Sequence, residues 1–467
     1  MLYQIIRKEM LLNLVSFRFI ISVILLFVLI IGTMQIMASN YGRRVEDFSI
    51  GTEMHNDDLE KLNTRPQFEA FGVTKDTHPT LLGIFAIGLE SQMSRSFMVP
   101  GYAMSIQEQG GRVFYAVSKL AGIQPEGSKY SNPIFTLFQP PDFIYIINIV
   151  LGLLAILFSF DSISGEKENQ TLKLMLTNSV PRDVVLIGKW IGGTLSILLP
   201  FMLAFGIGVL GVIMRPSIQL DGDALVRLLL IFALSGLYIA VFFLVGMVFS
   251  VFTSRSSTSL VLSLFAWVIF VLVVPNLAPV ISRQFVPMKP SDAIVREAER
   301  MENEMWHDLW KIRNDDQKAY RRKKKEITEK LPDKIRALED AWLRRLMRQV
   351  SLAKNISRVS PSADYIYATT AIAGTGIDDY FNLRDRILRY RIRLGETRGD
   401  FVKDDTSQPI PMLYVKVDLD EVPVFQDKRI ELVDSINHAV IDFGILACYL
   451  VILFMIAFVK FLNYDVK

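Results

Sequence analysis

Six runs of apolar residues constrain what this chain folds into more than any motif does. A bilayer core of ~30 Å takes ~20 residues of helix. The runs are Phe19 to Met37, Phe143 to Phe160, Trp190 to Met214, Leu228 to Phe252, Ser256 to Ile281 and Ala439 to Val459. The first two carry no charge, and the last has one acid, Asp442, near its start. Backbone groups in lipid find no water to bond, so each run must be helical. Pro200, Pro275 and Pro279 interrupt spans, where neighbouring helices can satisfy the freed carbonyls. Composition agrees: 51% of residues are hydrophobic and 31 are Phe. The formal net charge of +3 gives no electrostatic case for a nucleic-acid partner.

The first run is read as a retained signal anchor. Arg7 and Lys8 would suit the basic start of a cleaved signal, but the uncharged core is longer than such signals use, and Arg18 stands at its edge. Basic residues of the short loops set the orientation. With the N-terminus inside, the cytoplasmic side holds Arg7, Lys8, Arg18, Lys167, Lys173, Arg182, Lys189, Arg255, Lys460 and Lys467. The short outer loop near 215 to 227 holds Arg215 and Arg227. Both termini are then expected in the cytoplasm and the chain in the cell (inner) membrane, with 39–142 and 282–438 facing outward.

The first outer segment contains "LLGIFAIGLE" at 81 to 90, too short to span and read as a buried or interfacial helix. In the second, Ile294, Ala298, Met301, Met305, Leu309 and Ile312 recur at helical spacing. Ile335, Leu338, Trp342, Leu346, Val350 and Ala353 repeat the pattern after Pro332, which is placed to open a new helix. A helical hairpin over about 291–356, turning near Pro332, is predicted. The basic run "RRKKK" at 321 to 325 is surrounded by acids and reads as a solvated helix face. Alternation in "YVKVDLDEVPVF" at 414 to 425 predicts a strand. The fold class expected is an α-helical membrane protein of six transmembrane helices, with a large α+β extracytoplasmic part that includes the hairpin.

Enzymatic signatures are missing. "IGKW" at 187 to 190 lacks the earlier glycine and the following hydroxyl of a phosphate-binding loop. His55, His78, His307 and His438 lie far apart, without metal-site spacing. No G-x-S-x-G elbow exists, and the lone Cys448 sits in an apolar run without a nucleophile's context. No catalytic, cofactor-binding or metal-binding residue is therefore expected.

Between the second and third runs, the chain spends 161–183 outside the apolar spans. Glu166, Lys167 and Glu168 precede Thr171, Leu172, Leu174, Met175 and Leu176. Acids suit a helix N-terminus, Leu172, Met175 and Leu176 share one face, and Pro181 ends the helix. A short amphipathic helix pinned between two spans fits the groove of another protein. The bland reading is an interfacial helix lying on lipid.

The run "SGEKENQTLKLMLTNSVPRDVVLIGK" resembles the coupling-helix signature of ABC transporter type-2 permeases. That signature has acid-base-acid, a variable residue, Gly-Thr-Leu, a leucine-rich turn, a proline near an arginine, and a closing Gly-Lys. Here these are Glu166-Lys167-Glu168, Asn169, Gln170-Thr171-Leu172, Pro181, Arg182, Gly188 and Lys189, with Gln170 where glycine is usual. "IIRKEMLLNLVSFRF" at 5 to 19 is similar to the family's N-terminal elbow helix, with Arg7, Lys8 and Glu9 before the first span. The resemblance covers the membrane part. Family members connected with multicopper-enzyme maturation carry large outer insertions.

The resemblance implies a permease subunit without ATPase chemistry of its own. A separate ABC ATPase subunit, holding ATP and Mg, would dock on Glu166, Lys167, Glu168, Thr171, Leu172, Met175 and Leu176. A second permease subunit, identical or related, would pair with it in the bilayer. Three functions stand open: export of an unidentified substrate, relay of the ATPase stroke to an extracytoplasmic protein, and a membrane-anchored scaffold or sensor. Together these readings divide the chain into an elbow at 1–16, spans at 17–38 and 143–160, the coupling loop at 161–183, three spans in 184–281, a last span at 439–463 and a tail at 464–467.

Overall fold

The computed structural model of the chain describes residues 1–61, 73–94, 96–99, 141–177, 181–312, 317–396, 422–428 and 430–464. Helix α1 (Leu2–Leu14) leads into α2 (Phe17–Glu60), which Ser16 caps by accepting from the Phe19 amide at 3.2 Å. The strands β1 (Val73–Asp76) and β2 (Ser96–Val99) form an antiparallel pair with Val73 opposite Val99. Helix α3 joins Phe143–Ile146, a π-helical turn at Ile147–Leu151 and Gly152–Ser159. Two short helices, α4 (Ser164–Glu168) and α5 (Thr171–Thr177), precede α6 (Arg182–Ile213) and α7 (Gly222–Phe252). Helix α8 joins Ser256–Trp267, a π-helical stretch at Val268–Val273 and Val274–Phe285. Then follow α9 (Ser291–Ile312), α10 (Gln317–Ser357), α11 (Pro361–Ala373), α12 (Ile377–Glu396) and α13 (Leu432–Leu462).

Among the described residues, six helices are long and apolar enough to cross a membrane: α2, α3, α6, α7, α8 and α13. Helix α7 forms their centre, with Tyr238 through Met247 almost wholly buried. Tyr238 donates its hydroxyl to the Asn148 carbonyl at 2.7 Å, which satisfies a polar group that lipid would leave unpaired. Exposed Leu, Ile and Val on α2, α8 and α13 face outward, as lipid-facing surfaces do.

At one end of this bundle lie the start of α1 and the end of α13; the opposite end is termed the far end. There the sequence expectations need correction. Helix α2 does not stop near 38 but continues to Glu60. Its polar continuation has no apolar period to reveal it. Burial of Met37, Ala38 and Tyr41, the ion pair of Arg44 with Glu90 and the hydrogen bond between His55 and Asp76 hold it instead. Of the run 81 to 90, Leu81 to Ala86 is buried, the first of its two readings, with a 3₁₀ turn at Leu81–Ile84 in place of a longer helix.

The hairpin exists with its break displaced. Helix α10 runs through Pro332, and the connection from α9 falls at 313–316, outside the described residues. Ala298 and Leu309 of α9 are buried against Ile327, Leu331 and Ile335 of α10. Those contacts flank Pro332 on both sides and offset the bond that its missing N–H removes. The second half of α10 turns to α8: Trp342 Nε1 donates to the Lys289 carbonyl at 3.0 Å, and Gln349 Nε2 to that of Val286 at 2.7 Å. Lys323 of the basic run pairs with Glu326 at 3.2 Å, within a helix face. The strand predicted at 414 to 425 lies mostly outside the described residues, and its described end is irregular.

Helix α11 enters between the far halves of the spans. Ser360 caps it and also donates to the Phe270 carbonyl of α8. Ser362 donates to Asn148 of α3 at 2.7 Å, and the Tyr365 ring packs tilted against Tyr238 of α7 with centroids 4.6 Å apart. The C-cap Gly374 has φ +74, a left-handed conformation that glycine adopts without strain.

Candidate functional site

The turn between α3 and α6 is two helices rather than one. Helix α4 ends at Glu168 and Gln170 has φ 58, a value no other non-glycine among the described residues shares on the positive side. The left-handed turn explains why glycine is usual at this place in the resembled signature, since a side chain there crowds its own carbonyl. Glu166, Lys167 and Glu168 therefore do not open the amphipathic helix; they form a turn of their own before it.

Each of the three charges reaches a different part of the bundle. Glu166 Oε1 lies 2.9 Å from Lys189 Nζ, and Glu9 Oε1 lies 2.7 Å from the same nitrogen. Lys189 is 2% exposed, so its ammonium is enclosed by one carboxylate from α1 and one from α4. Lys8 stands 3.9 Å from Glu166 at the rim. Lys167 donates to the carbonyls of Val251 and, at 3.0 Å, of Thr253, at the C-terminal end of α7. Positive charge is favoured there, where the last carbonyls of a helix lack intrahelical partners. Glu168 accepts from the Ser256 amide at 3.1 Å and from its hydroxyl at 2.9 Å, at the N-terminus of α8. The acid-base-acid order thus matches a helix side, a helix C-terminus and a helix N-terminus in turn.

The rest of the signature anchors the same region. Arg182 donates to the Phe461 carbonyl at 3.3 Å and to that of Leu462, the last carbonyls of α13. Pro181 is the N-cap of α6 rather than the last residue of the amphipathic helix. Gly188 and Gly192 give α1 its seat on α6. A Cβ on Gly188 would meet Ile5 Cγ2 at 2.7 Å, and one on Gly192 the Ile6 carbonyl at 3.0 Å. Arg7 has no ion pair with a described residue and lines an open groove of α1 with Gln4, Lys8, Leu11 and Leu12.

Of the residues expected to meet a partner, Leu172 is fully buried in the chain's own core and Met175 is half-buried against it. Leu172 therefore seats α5 on the bundle. Thr171, Lys173 and Leu174 are exposed, Leu174 at 68%. Leu176 belongs to α5, with its side chain outside the described residues. Sequence reasoning missed Lys189 as the centre of the ion-pair network and Leu174 as the exposed apolar side chain. A lysine at the mouth of an apolar run was the signal for the first, because such a charge needs a partner inside the fold.

The family model described as ABC-2 family transporter protein matches residues 3–466. A probable ABC transporter permease protein NosY of Stutzerimonas stutzeri is 30% identical over 135 residues, 27% of this chain and 46% of that protein. The protein of the same name from Pseudomonas aeruginosa is 34% identical over 68 residues, 15% of this chain and 25% of its own length. The matched regions thus span less than half the length of these curated relatives. With the family model covering nearly every residue, six helices fit to span a membrane and the signature folded into one anchored turn, the chain belongs to the ABC-2 transporter family.

Proposed function

We propose that this chain is the membrane permease subunit of an ABC transporter, coupling ATP hydrolysis in a separate nucleotide-binding subunit to export of a substrate. The observation that carries this reading is the anchoring of the α4–α5 turn. A push on the exposed face of α5 meets rigid attachments to α1 and α6 through Glu166, to α7 through Lys167 and to α8 through Glu168. Discrete, well-bonded contacts of this kind move helices as units rather than letting the load dissipate in a floppy loop. ATP and Mg belong to the partner subunit, and a second permease chain completes the assembly in the bilayer.

A second reading keeps the same machinery but relays force to a protein beyond the membrane. It is favoured by α8, which Glu168 grips at one end while α10 of the hairpin packs against the other, with Trp342 and Gln349 bonded to the carbonyls of Lys289 and Val286 just beyond it. In that reading the stroke passes along one helix into the hairpin. A membrane scaffold without ATPase has no use for so many attachments of the turn.

Replacing Leu174 with Asp tests the docking face, since apolar anchors concentrate the energy of small interfaces. The variant is expected to insert and fold, because the side chain is exposed, but to lose a co-purifying P-loop ATPase. Retention of a full ATPase complement would leave the turn as a lipid-resting helix.

A further inference from the structure

Asp364, on α11, is 0% exposed, and neither of its carboxylate oxygens has a hydrogen-bond partner. Buried polar groups are nearly always bonded, and an unpaired ionised carboxylate is among the most costly groups to enclose. Among the described residues, the one cation whose charge acts on it, Arg358, is already bonded to another carboxylate. From α13, Asp442 is also 0% exposed, and its Oδ1 takes Arg358 Nε at 2.6 Å. Lys354 of α10 lies 3.2 Å from Asp378 and 3.9 Å from Asp442 Oδ2. Tyr367 on α11 itself bonds Ser357 at 2.8 Å, and Tyr449 of α13 donates to the Val359 carbonyl.

The other elements against α11 bring no cation to Asp364. Arg227 of α7 is spent on Asp223, Ser435 and the carbonyls of Ile372 and Ile430, at the opposite end of α11. Helix α12 brings Asp379, which accepts from the Gly376 amide, and His438 of α13 acts on Asp379. Helix α3 presents the neutral Asn148, and α8 the Phe270 carbonyl. With Arg358 matched to Asp442 and Lys354 to Asp378, charge closes only if Asp364 is neutral.

We propose that Asp364, beside Asp442, is a proton-binding site that keeps α11 seated among the spans, and that release of its proton loosens this seat. The carboxyl group binds one proton as COOH and gives it up to water as COO⁻. No other atom is exchanged. Ionisation places a second negative charge beside Asp442 without a new partner, so the gain comes from moving α11 away from α13. The α10–α11 junction, where Ser360 holds Phe270 and Arg358 holds Asp442, would carry that movement to the hairpin. Burial first and the Asp442 charge second push the Asp364 carboxyl up to about 8. A raised carboxyl contributes stability fully below its ordinary range, and that contribution is lost as pH rises from there through about 8.

Infrared titration of the full-length chain in lipid nanodiscs tests this. The carbonyl band of a neutral carboxylic acid is expected at pH 7 and should vanish with a midpoint near 8. The component that titrates near 8 should be missing in Asp364→Asn, and in Asp442→Asn its midpoint should fall, because the like charge is gone. Asp364→Asn, which imitates the protonated acid, should gain progressively on wild type in melting temperature as pH rises from the ordinary carboxylate range through about 8. No band at neutral pH, a band unchanged in Asp364→Asn, a midpoint indifferent to Asp442→Asn, or a less stable Asp364→Asn at pH 9 would each overturn the proposal. The wild-type titration stands on its own should a variant fail to fold.

Discussion

Glu166 Oε1 lies 2.9 Å from the buried ammonium of Lys189, which makes the first residue of the acid-base-acid signature part of the bundle rather than of its surface. Glu9 completes the site at 2.7 Å, so the pair of carboxylates and one lysine fasten α1, α4 and α6 together. Replacing Lys189 with Met would leave two half-buried carboxylates without their shared cation. Breaking a buried ion pair costs about 3–5 kcal/mol. The variant is expected to melt well below wild type in nanodiscs, and the triple change Glu9→Gln, Glu166→Gln, Lys189→Met to recover most of the loss. Equal melting of wild type and Lys189→Met would show that the network holds nothing together.

Gln170 stands in a left-handed conformation with φ 58. That region costs an L-residue about 1–2 kcal/mol, which glycine escapes. Gln170→Gly is therefore expected to raise the melting temperature, and Gln170→Val, with its branched Cβ, to lower it. A fall with glycine would mean that the Gln170 side chain contributes more than its backbone costs.

The hairpin seam is the third point of test. Leu309 is 1% exposed and Leu331 is 0% exposed, on facing helices. Truncating either to Ala should cost about 2–5 kcal/mol by lost burial and cavity formation. Limited proteolysis should then cut between 291 and 357 while the spans stay intact. Wild-type resistance in both variants would rule out a packed seam.

The membrane spans were legible because hydropathy over ~20 residues needs no tertiary information. The polar continuation of α2 to Glu60 was not, since its support comes from Glu90 and Asp76, distant in sequence. Pro332 read as a helix start because proline suits a first turn as well as it disrupts an interior. Only the burial of Leu331 and Ile335 against α9 decides between the two. The signature was recognisable at 166 to 189, yet its charges read as contacts for an ATPase subunit. Their partners at Glu9, Val251 and Ser256 lie on other helices, and residue type alone does not reveal a cap.

Orientation is testable with the natural Cys448 replaced by Ala. A cysteine at Asp333, in the hairpin, should react with an impermeant maleimide in intact cells or spheroplasts. One at Lys173, on α5, should react only after lysis. The reverse pattern would invert the topology that the loop charges imply.

The central claim is that the exposed face of α5 is where an ATPase subunit docks. Photo-crosslinking from benzoylphenylalanine placed at Leu174, in the native membrane, tests it most directly. The account predicts one dominant adduct whose peptides contain a phosphate-binding G-x-x-x-x-G-K-[ST] loop, and its loss when Gln170→Pro disrupts the turn. Adducts to lipid alone, with a folded chain and no such peptide, would contradict it.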